Sequence, residues 1–274
     1  MKIMLIFILS TTVFSFKSYA IDIDAQMKQA IDSFRSTTRY EIKGISKTPT
    51  PGLFVVQTNI GPLIINYDGK LLLTKNKAFH AEVKGEINGN ELEKIRLEAL
   101  SEIDHEQIIV VQHGSGDEQI VLYSALDCPY CLRQEQNLAK ASIDATLLII
   151  PSVLQTENWS VLTKVMCSDD RASAWSEYML NKVIPDNNGQ CYWSDNNSYT
   201  GIDQYRTIVL RTSGTPQMIY GDGVVRTPTT NNPLGVRPNN IDEQVDFFNH
   251  TSIETSYFST DVYQPKKKKM FGLF

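Results

Sequence analysis

Residues 119–153 read QIVLYSALDCPYCLRQEQNLAKASIDATLLIIPSV, and this stretch decides the fold. Gln119 to Ala125 is an apolar, β-rich run with the length of a buried strand. Cys128-Pro129-Tyr130-Cys131 follows, at the start of a helical stretch from Leu132 to Ala141. A second apolar strand, Thr146 to Val153, completes a β-α-β unit, the arrangement that buries both strands under a crossover helix.

The two thiols in this unit stand three positions apart at a helix start, so they can close a small disulfide while the first stays accessible. An ordinary cysteine has a pKa of about 8.5, and the N–H dipoles of a helix N-terminus lower that value. Cys128 is therefore the expected attacking thiolate and Cys131, one turn deeper, the resolving thiol. Pro129 lacks only an N–H that the first helical turn leaves unpaired, so it preorganises the turn without losing a helix bond. The other reading of C-x-x-C, half of a structural zinc site, lacks ligands. Cys167 and Cys191 do not form a second pair, and His80, His105, His113 and His250 have no ligand spacing. Neither a metal nor a cofactor is assigned.

Downstream, Trp159 to Val183 reads as mainly helical, with Val161, Val165, Ala172, Trp175 and Met179 pointing inward. An Asp/Asn/Gly-rich stretch separates it from a helix, Asp203 to Leu210. Ser213-Gly214-Thr215-Pro216 then precedes a strand (Gln217 to Tyr220), a turn at Gly221-Asp222-Gly223, a short Val224 to Arg226 strand and a helix from Ile241 to Asn249. A proline directly before a central strand is most naturally a cis bond in a tight turn. The loop Thr227 to Asn240, rich in Thr, Asn and Pro, reads as surface without an assigned role.

Upstream, Ile23, Met27, Ile31 and Phe34 recur at helical spacing. Strands follow at Leu53 to Thr58, Leu63 to Tyr67 and Leu71 to Thr74, with Asp68-Gly69 as the hairpin cue, and Phe79 to Ile87 extends the sheet. ELEKIRLEALSEI, from Glu91, alternates Leu92, Ile95, Leu97, Leu100 and Ile103 with charges, the pattern of a largely exposed linker helix. The first twenty residues place Lys2 before an apolar run and end with Ser18 and Ala20 at small positions, which reads as a cleavable secretory signal. The run is shorter than the about 20 apolar residues a membrane anchor needs. Cleavage removes Lys2 and Lys17, leaving 24 basic against 31 acidic residues and a charge of −7.

The whole chain, 274 residues with 42% hydrophobic and 21% charged, excludes disordered and collagen-like classes. Its net charge of −5 excludes the basic footprint of a nucleic-acid binder.

The strand, CPYC, helix and SGTP before the next strand resemble the thioredoxin superfamily. The chain from residue 21 to about 250, including GPLIINYDGK at 61–70 and MCSDDRASAWSEYML at 166–180, is similar to the periplasmic DsbC/DsbG disulfide isomerases. The resemblance implies an α+β fold: a thioredoxin-like C-terminal domain with a helical insertion, preceded by a small β-rich, cystatin-like dimerisation domain and a linker helix. The expected division is a signal peptide at 1–20, the dimerisation domain at 21–88, the linker helix at 89–106, the catalytic domain at 107–250 and a polar, basic tail at 251–274. It also implies that Thr215 and Pro216 pack against the active disulfide and pair with the substrate chain, beside Pro129 and Tyr130. Cys167 and Cys191 match the family's structural disulfide, which closes a loop of about 25 residues and is worth roughly 3.5 kcal/mol in the chain-entropy estimate. A second redox relay at those cysteines is the alternative.

The implied partners are a second copy of the chain, unfolded or misoxidised exported proteins, and a membrane-embedded DsbD-type electron donor. A small β-rich domain has difficulty stabilising itself without a partner, which fits dimerisation. The function implied is a periplasmic disulfide isomerase or reductase. A dithiol oxidase and a dimeric holdase with secondary redox activity stay open at this point. The tail, with Lys266 to Lys269 before Met270-Phe271-Gly272-Leu273-Phe274, departs from the family and reads as solvated chain, with a membrane-surface or partner-docking segment as the alternative.

Overall fold

A computed structural model describes residues 23–75, 78–80, 85–86, 89–116, 118–212, 214–229 and 231–236. The expected signal peptide, the helix from Ile241 to Asn249, and the tail lie outside the described residues. Helix α1 (Ile23–Thr37) leads into six strands: β1 (Ile42–Lys47), β2 (Leu53–Thr58), β3 (Gly61–Asn66), β4 (Leu71–Leu73), β5 (Ala78–His80) and β6 (Gly85–Glu86). They form an antiparallel meander in chain order. The β3–β4 turn is closed by Gly69 N–H donating to Asn66 O at 3.0 Å, with Gly69 at φ 70°, a conformation that favours glycine. The segment expected at Phe79 to Ile87 contributes two short strands instead of one.

Helix α2 (Gly89–Ser101) connects to β7 (Ile109–His113) and β8 (Gln119–Ala125); α3 (Pro129–Leu138) then crosses to β9 (Ala145–Ser152). Four helices follow: α4 (Trp159–Met166), α5 (Arg171–Asn181), α6 (Tyr192–Asn196) and α7 (Tyr199–Tyr205), the last running into a π-helical turn at Arg206–Leu210. Strands β10 (Gln217–Ile219) and β11 (Val225–Arg226) close a second sheet with order β11-β10-β8-β9-β7. Among the described strands only β8 and β9 run parallel, the pair joined by α3. This is the thioredoxin-like arrangement with a helical insertion, where α4 to α7 intervene between β9 and β10. Cys167, after α4, is disulfide-bonded to Cys191, before α6.

Both faces of the first sheet are covered by the same chain. Phe54, Val56, Leu63 and Ile65 pack with Ala30 and Phe34 of α1. The alternate residues Leu53, Val55, Ile64, Leu71 and Leu73 enter a core shared with α2, the Arg206–Leu210 turn and one face of the second sheet, through Val121, Tyr123, Leu148, Ile150 and Ile219. Each such side chain, fully buried, contributes about 1.5–3 kcal/mol of hydrophobic stabilisation. This cover removes the argument that the β-rich segment needs a second copy to be stable.

Helix α2 is not the exposed linker its charges suggest. Ile95, Ala99, Leu100 and Ile103 are buried in the shared core, and Arg96, Glu98 and Glu102 are buried with them. The charge-rich helix is enclosed because both sheets close on it: Arg96 donates to Gly223 O in the β10–β11 turn, and Gly223 lies so close that a Cβ there would meet Glu93 O at 2.8 Å. Polar ties reinforce the junction. Thr50 Oγ1 donates to Ala99 O at 2.7 Å and lies 2.7 Å from Tyr205 OH, all three groups being buried. Lys47 Nζ donates to Asn196 Oδ1 at 2.9 Å.

The Thr227 to Asn240 loop, described to residue 236, is exposed at its tip but anchored beyond it. Gln134 Nε2 of α3 donates to Pro233 O, and Tyr220 OH donates to Leu234 O at 2.6 Å.

Candidate functional site

The site forms where the carboxyl ends of β8 and β9 meet the start of α3. Leu126 N–H donates to Ser152 O at 2.9 Å, carrying the pairing of the two strands past the end of β8, and Cys128 N–H donates to Ala125 O at 3.2 Å. Cys128 is the extended N-cap of α3 (φ −87°, ψ 122°), with Pro129 in the first turn and the first helical bond running from Leu132 N–H to Cys128 O at 3.0 Å. An N-cap without a side-chain cap bond leaves the sulfur at the end of the helix where unpaired N–H groups gather.

Cys128 and Cys131 are both free thiols, 4% and 0% exposed. Cys128 Sγ lies 3.5 Å from the carbonyl of Thr215, and the Thr215–Pro216 bond is cis. The next residue, Gln217, opens β10 opposite Tyr123 of β8, so sheet pairing fixes the proline loop against the thiols. Cys131 Sγ accepts from Ala125 N–H at 3.3 Å. Burial nevertheless dominates and pushes its thiol up to about 12, with the neighbouring Cys128 adding to the rise. Tyr130 stands out from the first turn, 64% exposed, with the Arg133 guanidinium 5.2 Å from its ring centre.

The fold thus gathers Cys128, Pro129, Tyr130, Cys131, Thr215 and Pro216 in one place. Cys167 and Cys191 are on the helical insertion and bonded to each other, with Cα atoms 5.6 Å apart. No group of three or more His, Cys, Asp or Glu side chains arranged to hold a metal ion occurs among the described residues. No helix among them is long and apolar enough to cross a membrane.

Two parts of the site are not evident from the motif. Ser124, the residue before Ala125, favours the resolving thiolate and offsets part of the effect of its burial. Asp127, directly before Cys128, accepts three hydrogen bonds from the loop after β9: Leu154 N–H at 2.7 Å, Gln155 N–H at 2.9 Å and Asn158 Nδ2 at 2.9 Å. An acid next to a C-x-x-C was visible in the sequence, but its partners, 27 to 31 residues away, were not. Farther along α3, Trp175 Nε1 donates to Glu135 Oε1 at 2.7 Å, and burial raises the Glu135 carboxyl.

No family model matches the chain. Among curated proteins it is similar to the thiol:disulfide interchange protein DsbC of Escherichia coli strain K12, 23% identical over 224 residues, covering 80% of this chain and 88% of that protein. DsbC of Escherichia coli O157:H7 matches equally. Similar solved structures include a disulfide interchange protein from Neisseria gonorrhoeae (TM-score 0.39, 21% identity, 50% of this chain and 91% of that one). Helicobacter pylori DsbG is another, with TM-score 0.35, 14% identity, and 70% of this chain and 98% of that one covered.

Proposed function

We propose that this chain, a DsbC/DsbG-type thiol-disulfide oxidoreductase of the thioredoxin superfamily, works in the periplasm as a disulfide isomerase or reductase for misbonded exported proteins. One observation carries the reading: two free thiols share a helix start, the first against the carbonyl before a cis-proline and the second one turn deeper and sealed from solvent. The Cys128 thiolate attacks one sulfur of a substrate disulfide. That S–S bond breaks, the other substrate sulfur leaves as a thiolate and takes up a proton, and Cys128 is held in a mixed disulfide. Backbone at Thr215 and Pro216 holds the substrate chain, with Pro129 and Tyr130 beside it.

Two exits follow. A second substrate thiolate attacks the substrate sulfur bound to Cys128, forming a new substrate disulfide and returning Cys128 as thiolate with no net transfer of electrons. Alternatively Cys131 loses its proton and attacks Cys128 Sγ, closing the Cys128–Cys131 disulfide and releasing the substrate reduced by two electrons. A DsbD-type membrane donor then returns those electrons. Burial of Cys131 holds its proton and slows the second exit, which supports isomerisation over reduction. Cys167–Cys191 serves as a structural disulfide, residues 21–88 are the dimerisation domain, and residues 1–20 direct export.

Cys128→Ser tests the reading. The variant is expected to lose all reshuffling of scrambled disulfides, whereas a holdase would suppress aggregation of an unfolded client as well as wild type does. Reshuffling that survives this substitution refutes Cys128 as the nucleophile.

A further inference from the structure

A cavity of about 80 Å³ lies where α3, α5 and the edge strand β7 meet. A water molecule takes up about 30 Å³ of liquid, so this is room for a small group of several non-hydrogen atoms. Most of the wall is apolar, with Val111 from β7, Leu138 from α3, and Ala172 and Leu180 from α5. Leu180 is 36% exposed, so the wall reaches the surface of the molecule at that residue.

The polar groups in this wall are Glu135, His113 and Ser176, with the indole of Trp175. Trp175 Nε1 donates to Glu135 Oε1 at 2.7 Å, while Glu135 Oε2 has no hydrogen-bond partner among the described residues. No lysine or arginine lines the cavity, and among the described residues no cation offsets the carboxylate charge. A carboxylate taken out of water and left without a cation keeps its proton more tightly, and burial accordingly raises Glu135. His113 does not supply the missing charge. Burial lowers its imidazole, so near pH 7 it is neutral and carries one acceptor nitrogen. The cavity therefore combines three acceptor groups and an apolar lining with no positive charge of its own.

We propose that this cavity binds a primary alkylammonium group, with the ammonium paired to Glu135, its other N–H donors directed to His113 and Ser176, and the alkyl stem against Val111, Leu138 and Leu180. The site goes beyond the dithiol chemistry and does not depend on which reaction Cys128 performs. An ammonium suits it because three N–H donors on an apolar stem match a carboxylate, an imidazole nitrogen and a hydroxyl, whereas a guanidinium would bring five donors in a rigid fork. A free alkylamine and the lysine side chain of another protein carry this same chemistry.

The test titrates the full chain at pH 8 and constant ionic strength with n-butylammonium chloride, which is protonated there as a lysine is. The readout is the NMR signal of Trp175 Nε1–H, whose acceptor is Glu135. A saturable shift with a Kd on the order of 1 mM is expected, reasonable for so small a ligand. n-Butanol, which lacks the charge, and tetramethylammonium, which lacks the N–H donors, are expected to bind at least about tenfold more weakly. Glu135→Gln keeps the volume and an acceptor for Trp175 but removes the charge, and is expected to cost the same factor. Ala172→Leu fills the cavity with Glu135 in place; it is expected to abolish the saturable shift, and it answers for Glu135→Gln if that variant misfolds. Nα-acetyl-lysine amide, titrated in parallel, separates the two sources: binding at least as tight as that of n-butylammonium assigns the site to a protein lysine, and weaker binding assigns it to a free amine. No saturable shift with either amine overturns the proposal. So does equal binding of n-butanol or tetramethylammonium, or amine binding unchanged in both variants.

Discussion

Glu102 follows α2 where that helix lies between the two sheets, 8% exposed, one turn after the equally enclosed Glu98. Burial, assisted by the Glu98 charge, pushes its carboxyl up to about 7 from an ordinary value near 4.5. The folded chain therefore keeps a proton that the unfolded chain has already released, and between about pH 4.5 and pH 7 stability falls as pH rises. Below this window the group contributes no difference; above it the full penalty is present. A shift from 4.5 to about 7, at 1.36 kcal/mol per unit, amounts to about 3 kcal/mol. Glu102→Gln preserves the shape and removes the titration. It is expected to match wild type at pH 4.5 and exceed it by about 3 kcal/mol at pH 8, or roughly 6–12 °C in Tm for a chain of this size. Urea unfolding at the two pH values, followed through the fluorescence of the buried Trp175 and Trp193, measures this directly. A Gln variant whose advantage is equal at both pH values, or absent at pH 8, refutes the reasoning.

Replacing Cys167 and Cys191 together by Ala frees a loop of about 25 residues and is expected to lower stability by roughly 3.5 kcal/mol, read from urea midpoints under non-reducing conditions. Thr50→Val keeps the volume but removes the hydroxyl that joins Ala99 O to Tyr205 OH. Because those groups stay buried, the expected loss is about 1–3 kcal/mol, measured the same way.

The thioredoxin-like half was readable because its two parallel strands, enclosed on both sides, are written as unbroken apolar runs, and because Pro129 marks the helix start. Two strands escaped that reading. In β1 the alternation is broken at Gly44, where the register slips by one residue. In β7 the run Ile108 to Val111 was a usable signal, obscured because the strand is an edge and its residues are only partly covered. Helix α6 lies within a stretch that looks like polar loop, yet Trp193 is fully buried. The enclosure of α2 was not legible from its own residues, since the side chains that cover Arg96 and Glu98 come from distant parts of the chain. At the site, the thiols and the cis-proline followed from local sequence. The Asp127 contacts did not, because hydrogen bonds across 27 or more residues leave no periodic trace.

The core that runs from the first sheet through α2 into the second also decides how the dithiol is carried. A catalytic head on a flexible stalk would sweep a volume and meet a client at any angle. Here the residues that would form the joint are packed side chains, and the Thr50, Ala99 and Tyr205 contacts bolt the two halves together. The dithiol rides on a rigid chassis, so its aim is set by how the entire molecule is oriented.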